Sequence, residues 1–177
     1  MTASPEEIVP DDKDWTWVLQ RPCDECGFDA ASVPAKSVAA SLADNAARWT
    51  EVLMRADVSR RRRSDRWSDL EYACHVRDVF RLYDYRLKLM LEQDGPSFPN
   101  WNPDDTAAAE NYRSEDPSIV SDELLAAQRT LSATFASVAD DRWERTGFRS
   151  DGAAFTIDTF ARYLLHDPVH HLVDVSQ

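Results

Sequence analysis

Three of the chain's four histidines stand in one six-residue stretch, "HDPVHH", at positions 166, 170 and 171. Residues i and i+4 of an α-helix project from one face, so His166 and His170 could chelate a single divalent ion. His171 is rotated by about 100° and does not easily join them. Two imidazoles leave such an ion underbound. A third from a facing helix would complete a three-histidine site with an open position for water or substrate, and His75, in "WSDLEYACHVRDV", is the one histidine left to supply it. The chemistry of such a site is Lewis-acid activation of a small nucleophile. The same residues also fit a polar helix end, where histidines favour the negative end of the helix dipole. Pro168 stands between the pair. It removes the amide bond to Leu164 and disfavours helical angles at Asp167. Either the helix kinks there, or Asp167 caps a new turn that begins with Pro168.

Other reactive side chains lie around these positions. Asp78, one turn beyond His75, and Asp174, one turn beyond His170, fit either as acceptors that fix imidazole tautomers or as surface carboxylates. Glu71 is explained by a capping box with Ser68; a ligand or general-base role is the alternative. Cys23 and Cys26, in "RPCDECGFD", have the spacing of half a zinc ribbon, but no second such pair follows. A redox dithiol would need a thioredoxin-like context that is absent. The expectation is a tight turn ordered by Pro22 and Gly27. Cys74 could in principle add a thiolate, yet as the neighbour of His75 it points about 100° away along a helix and is not nominated as a nucleophile. Three cysteines are too few for a disulfide scaffold at this length.

The elements that must position these residues are helical. Apolar residues Val38, Leu42, Ala46, Trp49 and Leu53 recur at spacings of three and four, which predicts a helix over 38–58. A second runs about 25 residues from Asp69, with a stripe through Tyr72, His75, Val79, Leu82, Arg86 and Leu89 and with Val76, Tyr83, Leu87 and Met90 alongside, and Gly95 marks its stop. A proline-rich connection follows, with a turn of helix at 106–112. The next helix carries Leu124, Ala127, Leu131, Phe135 and Val138, capped by Ser118 or Ser121, and the last spans "TIDTFARYLLHDPVHHLVDVSQ". Four amphipathic helices with one long crossover read as a four-helix bundle. Only four glycines in 177 residues agree with long helices and few tight turns. Trp49 and Trp67 are expected to pack in the bundle; Trp101, in the crossover, is the better candidate for covering a cavity, with core packing the expected role even there.

A formal net charge of −12 repels phosphate backbones and weighs against nucleic-acid partners. The basic run Arg60, Arg61, Arg62, Arg63 and Arg66 is read as an inter-helix loop that offsets nearby carboxylates. No window of about 18 apolar residues exists, so no membrane span is expected. The acidic start "MTASPEEIVPDDKDW" has no secretory pattern, and a cytoplasmic location is expected.

The order of His75 in "WSDLEYACHVRDV", a long crossover and then "ARYLLHDPVHH" resembles the DinB-like superfamily, which includes the N-terminal domain of mycothiol-dependent maleylpyruvate isomerase. "CDECGFD" is similar to the lead-in of actinobacterial members. The resemblance implies an all-α, up-down-down-up four-helix bundle over residues 37–177, after an N-terminal extension over 1–36 that carries the CxxC. It implies a metal site at His75, His166 and His170, with Zn or Ni as the divalent ion. Pro168 departs from the family's uninterrupted fourth helix. The function implied is that of a metal-dependent S-transferase or isomerase whose partners are a small-molecule thiol of the mycothiol type and an electrophilic substrate. A metal-dependent hydrolase and a non-catalytic metal-binding stress protein are the alternatives, and a homodimer is the one self-association considered.

Overall fold

In the computed structural model, which describes residues 8–11 and 13–177, helices form where the apolar spacing places them. The acidic start, residues 1–7 and Asp12, lies outside the described residues. Helix α1, Val38–Leu53, buries Val38, Leu42, Ala46 and Trp49 along one stripe. It stops five residues short of the predicted end, although Val58 in the following turns is still buried. Helix α2, Asp69–Glu92, starts at the expected capping box of Ser68 and Glu71 and stops before Gly95, whose φ of 57° is left-handed. Its buried face takes in His75, Val79 and Arg86 of the predicted stripe and Val76, Tyr83, Leu87 and Met90 beside it, together with Phe80, while Leu82 and Leu89 are only partly covered.

The crossover contains a short helix α3, Pro103–Ala109, capped by Asn102 with proline in its first turn. Helix α4, Pro117–Ala136, is capped by Asp116 rather than by Ser118 or Ser121. Pro117 supplies the pre-set φ of a first helical residue, and the Asp116 carboxylate accepts from the Ser118 and Ile119 N–H groups. Helix α5, Ile157–Asp174, opens on a capping box of Thr156 and Thr159 and runs unbroken through Pro168. No new turn is capped by Asp167. The Pro168 carbonyl accepts from Asn45 Nδ2 at 3.1 Å and Trp49 Nε1 at 3.3 Å, which ties α5 to α1 at that point.

Cross-helix bonds set the directions. Arg77 meets Glu123 and Asp84 meets Thr134, so α2 and α4 are parallel. Ala30, Asn45 and Arg55 meet Arg162, Pro168 and Val175 in the same order, so α1 and α5 are parallel. Ser132 near the end of α4 bonds Ala39 at the start of α1. His75 early in α2 faces Asp167 late in α5, while Tyr83 stacks on Phe160. The four long helices therefore run up, down, down, up.

An all-α description needs one correction. Strands β1 (Ser97–Phe98), β2 (Thr146–Arg149) and β3 (Ala154–Thr156) form a three-stranded sheet in that order, β1 parallel and β3 antiparallel to β2. The helical periodicity stops in "TGFRSDGAAFT", and Gly152, at φ 97°, turns β2 back onto β3. Phe98 and Phe155 plug the sheet onto Phe160 at the start of α5. Because α2 and α5 are antiparallel, this sheet closes the bundle at the end opposite His75 and His171. No helix of the described residues is long and apolar enough to cross a membrane.

The segment before α1 lies along α5. A 3-10 turn at Trp15–Leu19, capped by Asp14, leads to a turn at Cys23–Gly27, and Cys23 and Phe28 join the same core as the bundle.

Candidate metal centres

Helix α5 offers two overlapping i,i+4 pairs, His166 with His170 and Asp167 with His171, set about 100° apart around its axis. The structure sends them to different partners. Asp167 and His171 meet His75 on α2; His166 and His170 meet Cys23 and Cys26 of the N-terminal segment. Within each group one ligand atom per residue lies within 4.8 Å of all the others. The expected set of His75, His166 and His170 is thereby split, with His75 in one group and the other two in the second. The reason is geometric: α2 packs on the Asp167 and His171 face, and the N-terminal segment covers the adjacent one.

In the first group His75 Nε2 is 3.2 Å from Asp167 Oδ1, and His171 Nε2 is 3.9 Å from the same oxygen. A divalent ion bound at 2.0–2.2 Å in tetrahedral geometry needs N and O ligands about 3.3 Å apart, so the set fits one ion with little adjustment. His171 Nδ1 bonds Asp174 Oδ2 at 2.8 Å, which places the ring proton on Nδ1 and turns Nε2 toward Asp167. Asp174 thus supports His171, not His170 as its spacing suggested. Desolvation opposes charge on Asp167, yet the His75 and His171 rings hold its carboxyl well below the usual carboxylate range. Burial likewise opposes charge on His171, and Asp167 and Asp174 outweigh it and raise its pKa.

Aromatic rings enclose this group. Trp101, partly buried against the core, stacks on His75 with centroids 5.4 Å apart and planes 10° from parallel. Trp67, expected in the core, instead lies against the other side of the site, 5.3 Å from His75. Tyr72 packs on His171 at 4.9 Å. The group opens into a cavity of about 390 Å³, lined also by Tyr83, Tyr163 and the second histidine pair.

Several sequence candidates fall away. Glu71 is held by its cap and by Arg61 Nε and Nη2, leaving no free carboxylate oxygen for proton transfer. Asp78 bonds Arg77 and the Tyr112 hydroxyl rather than His75. Burial pushes the Cys74 thiol up to about 12, which makes it a poor nucleophile. The arginine run does offset carboxylates: Arg61 pairs with Glu71, Arg62 with Asp69 and Arg63 with Asp65. The residues that the structure gathers with His75, and that sequence reasoning did not choose, are Asp167 and His171. Their signal was present as a D-x-x-x-H spacing interleaved with H-x-x-x-H.

A helical bundle in which two histidines and a carboxylate converge on a cavity has the arrangement of a four-helix protein that could hold a metal ion. The DinB superfamily profile matches residues 42–174, and the chain belongs to that superfamily. A solved structure described as "YfiT from Bacillus subtilis is a probable metal-dependent hydrolase with an unusual four-helix bundle topology" superposes with a TM-score of 0.67 at 16% identity, covering 96% of this chain and 92% of that one. It supports the fold. No curated protein matches the sequence.

Proposed function

We propose that the chain is a metal-dependent enzyme of the DinB type, with a divalent ion, Zn or Ni, held by His75, Asp167 and His171. The observation that carries this reading is the convergence of two imidazoles and one carboxylate on a cavity of about 390 Å³. Three protein ligands leave a position for a further group, as in catalytic rather than structural sites. The ion supplies a Lewis acid that lowers the pKa of a small nucleophile. The chain's own groups do the rest. Asp174 holds the His171 tautomer, Trp101 and Trp67 restrict the His75 ring, and the aromatic walls limit bulk water.

Activation of water at the open position would make the reaction a hydrolysis, which agrees with the description of YfiT. Thiol transfer, which the sequence resemblance implies, would use the same open position. The cavity has room for a small thiol beside an electrophile.

The test is turnover by the zinc- and nickel-loaded protein on two panels, esters and amides without thiol, and electrophiles with a low-molecular-weight thiol. Hydrolysis that is independent of thiol, abolished by chelation and lost in Asp167→Ala supports the first reading. Turnover that requires the thiol moves the assignment to transfer. Metal binding with no turnover in either panel would leave a metal-binding protein without this catalytic role.

A further inference from the structure

We propose that Cys23, Cys26, His166 and His170 form a second metal site, a closed Cys2His2 zinc centre that fastens the segment before α1 to the end of α5. The site is independent of the His75 group and stands whether or not that group binds an ion.

The sulfur and nitrogen positions already suit a tetrahedral ion. Cys23 Sγ lies 3.7 Å from His170 Nδ1, and bonds of 2.3 Å to sulfur and about 2.05 Å to nitrogen put such a pair about 3.5 Å apart. All four ligand atoms fall within 4.8 Å of one another, and both cysteines are free thiols. His166 Nε2 is fully buried with no hydrogen-bond partner. Such an atom costs stability unless something ligates it.

The backbone arranges the sulfurs. The Cys23 N–H donates to the Phe28 carbonyl and the Gly27 N–H to the Cys23 carbonyl, each at 2.8 Å. Gly27, at φ 74°, takes the left-handed conformation that closes this turn. The result is the expected CxxC turn with its missing half supplied by H-x-x-x-H from α5, which is the ligand spacing of Cys2His2 zinc sites.

A structural role follows from access. Cys23, His166 and His170 are 1%, 4% and 7% exposed, and four protein ligands leave no position for substrate. Two thiolates cancel the charge of a divalent ion, so a neutral centre can be buried without a counter-ion. A redox role for Cys23 and Cys26 would leave the buried His166 nitrogen without purpose. Trp15 rests on both histidine rings, at 5.1 and 4.9 Å, and lines the catalytic cavity with them. Metal at this site would therefore hold one wall of that cavity.

The experiment uses the full chain, stripped of metal under reducing conditions and reloaded with cobalt(II) or zinc. Wild type and His75→Ala should both show thiolate-to-cobalt charge-transfer absorption, and Cys26→Ser, at a partly buried position, should lose about half of it or more, since Cys23 alone then supplies a thiolate. Zinc should slow maleimide labelling of the native thiols by at least about tenfold in wild type and His75→Ala. This second measurement needs no variant at the proposed site. Absence of sulfur charge transfer in wild type, its full retention in Cys26→Ser, or thiol labelling indifferent to zinc would each overturn the proposal. Loss of metal from the His75 group alone would change none of these readouts.

Discussion

His75 Nε2 and Asp167 Oδ1 lie 3.2 Å apart and join the second helix of the bundle to the last across the open end of the cavity. The contact is a hydrogen bond from the ring, and in the proposed metal site both atoms would be ligands. Asp167→Asn keeps the side-chain shape and removes the negative charge. Zinc affinity of this group should fall by about 100-fold. Competition against a fluorescent chelator, with the cysteine site occupied beforehand, measures it. Unchanged affinity would show that the ion is not held here.

Asp174 accepts the Nδ1–H of His171 at 2.8 Å and touches no other part of the triad. Asp174→Asn can present its amide to the ring and favour the wrong tautomer. The expected loss is about tenfold in zinc affinity at the triad, smaller than for a ligand. Cobalt–thiolate absorption should be unaffected.

Acid should weaken the metal-free protein through His166, whose pKa burial and the neighbouring His170 push down to about 4. The unfolded chain takes up this proton at about 6.5. Between these values the unfolded state binds more protons, so stability is full above pH 6.5 and falls as pH drops toward 4, by on the order of 2 kcal/mol. Asp167, depressed in the folded state, acts in the same sense at still lower pH, once it is protonated through its folded value. His171 opposes them: its raised pKa gives stability that is present below about 6.5 and is lost as pH rises through the folded value. Urea melts at pH 7.5 and pH 4.5 should show the net fall. His166→Gln should flatten the curve between pH 6.5 and 4.

The four long helices were legible because each carries an apolar stripe at helical spacing, and Ser68 with Glu71 marked a start to the residue. The sheet was not. Two-residue and three-residue strands such as Ser97–Phe98 and Ala154–Thr156 have too few alternations to stand out from a loop. At the site, His75 and the "HDPVHH" stretch were legible as ligand-bearing elements, but the partition among them was not. Spacing tells which residues share a face of α5; it does not tell which face meets α2. That is settled by tertiary packing of α5, including the bonds from Asn45 and Trp49 on α1 to the Pro168 carbonyl. Cys23 and Cys26 read as half a site; a histidine was open as the completing ligand, but spacing alone did not point to His166 and His170, which the fold gathers beside them.

The sheet end of the bundle offers a control for all of these experiments. Gly147, in the central strand β2, has no room for a side chain: an added Cβ would stand 2.7 Å from Met90 Cγ, 2.9 Å from its sulfur and 3.0 Å from Phe98 Cε1. Met90 is flexible, but it is fully buried, and Phe98 is only 1% exposed, so neither can move aside into solvent. Gly147→Ala should cost about 1–3 kcal/mol through overpacking. Trimming the obstacle tests the cause. Met90→Ala alone leaves a cavity, but combined with Gly147→Ala it makes space for the new methyl, so the double variant should be less destabilised than the sum of the two. Additive costs would mean that the strain lies elsewhere in the strand. Because this end is separated from His75 and His171 by most of the length of α2, zinc affinity at the triad should stay at the wild-type value while the melting temperature falls.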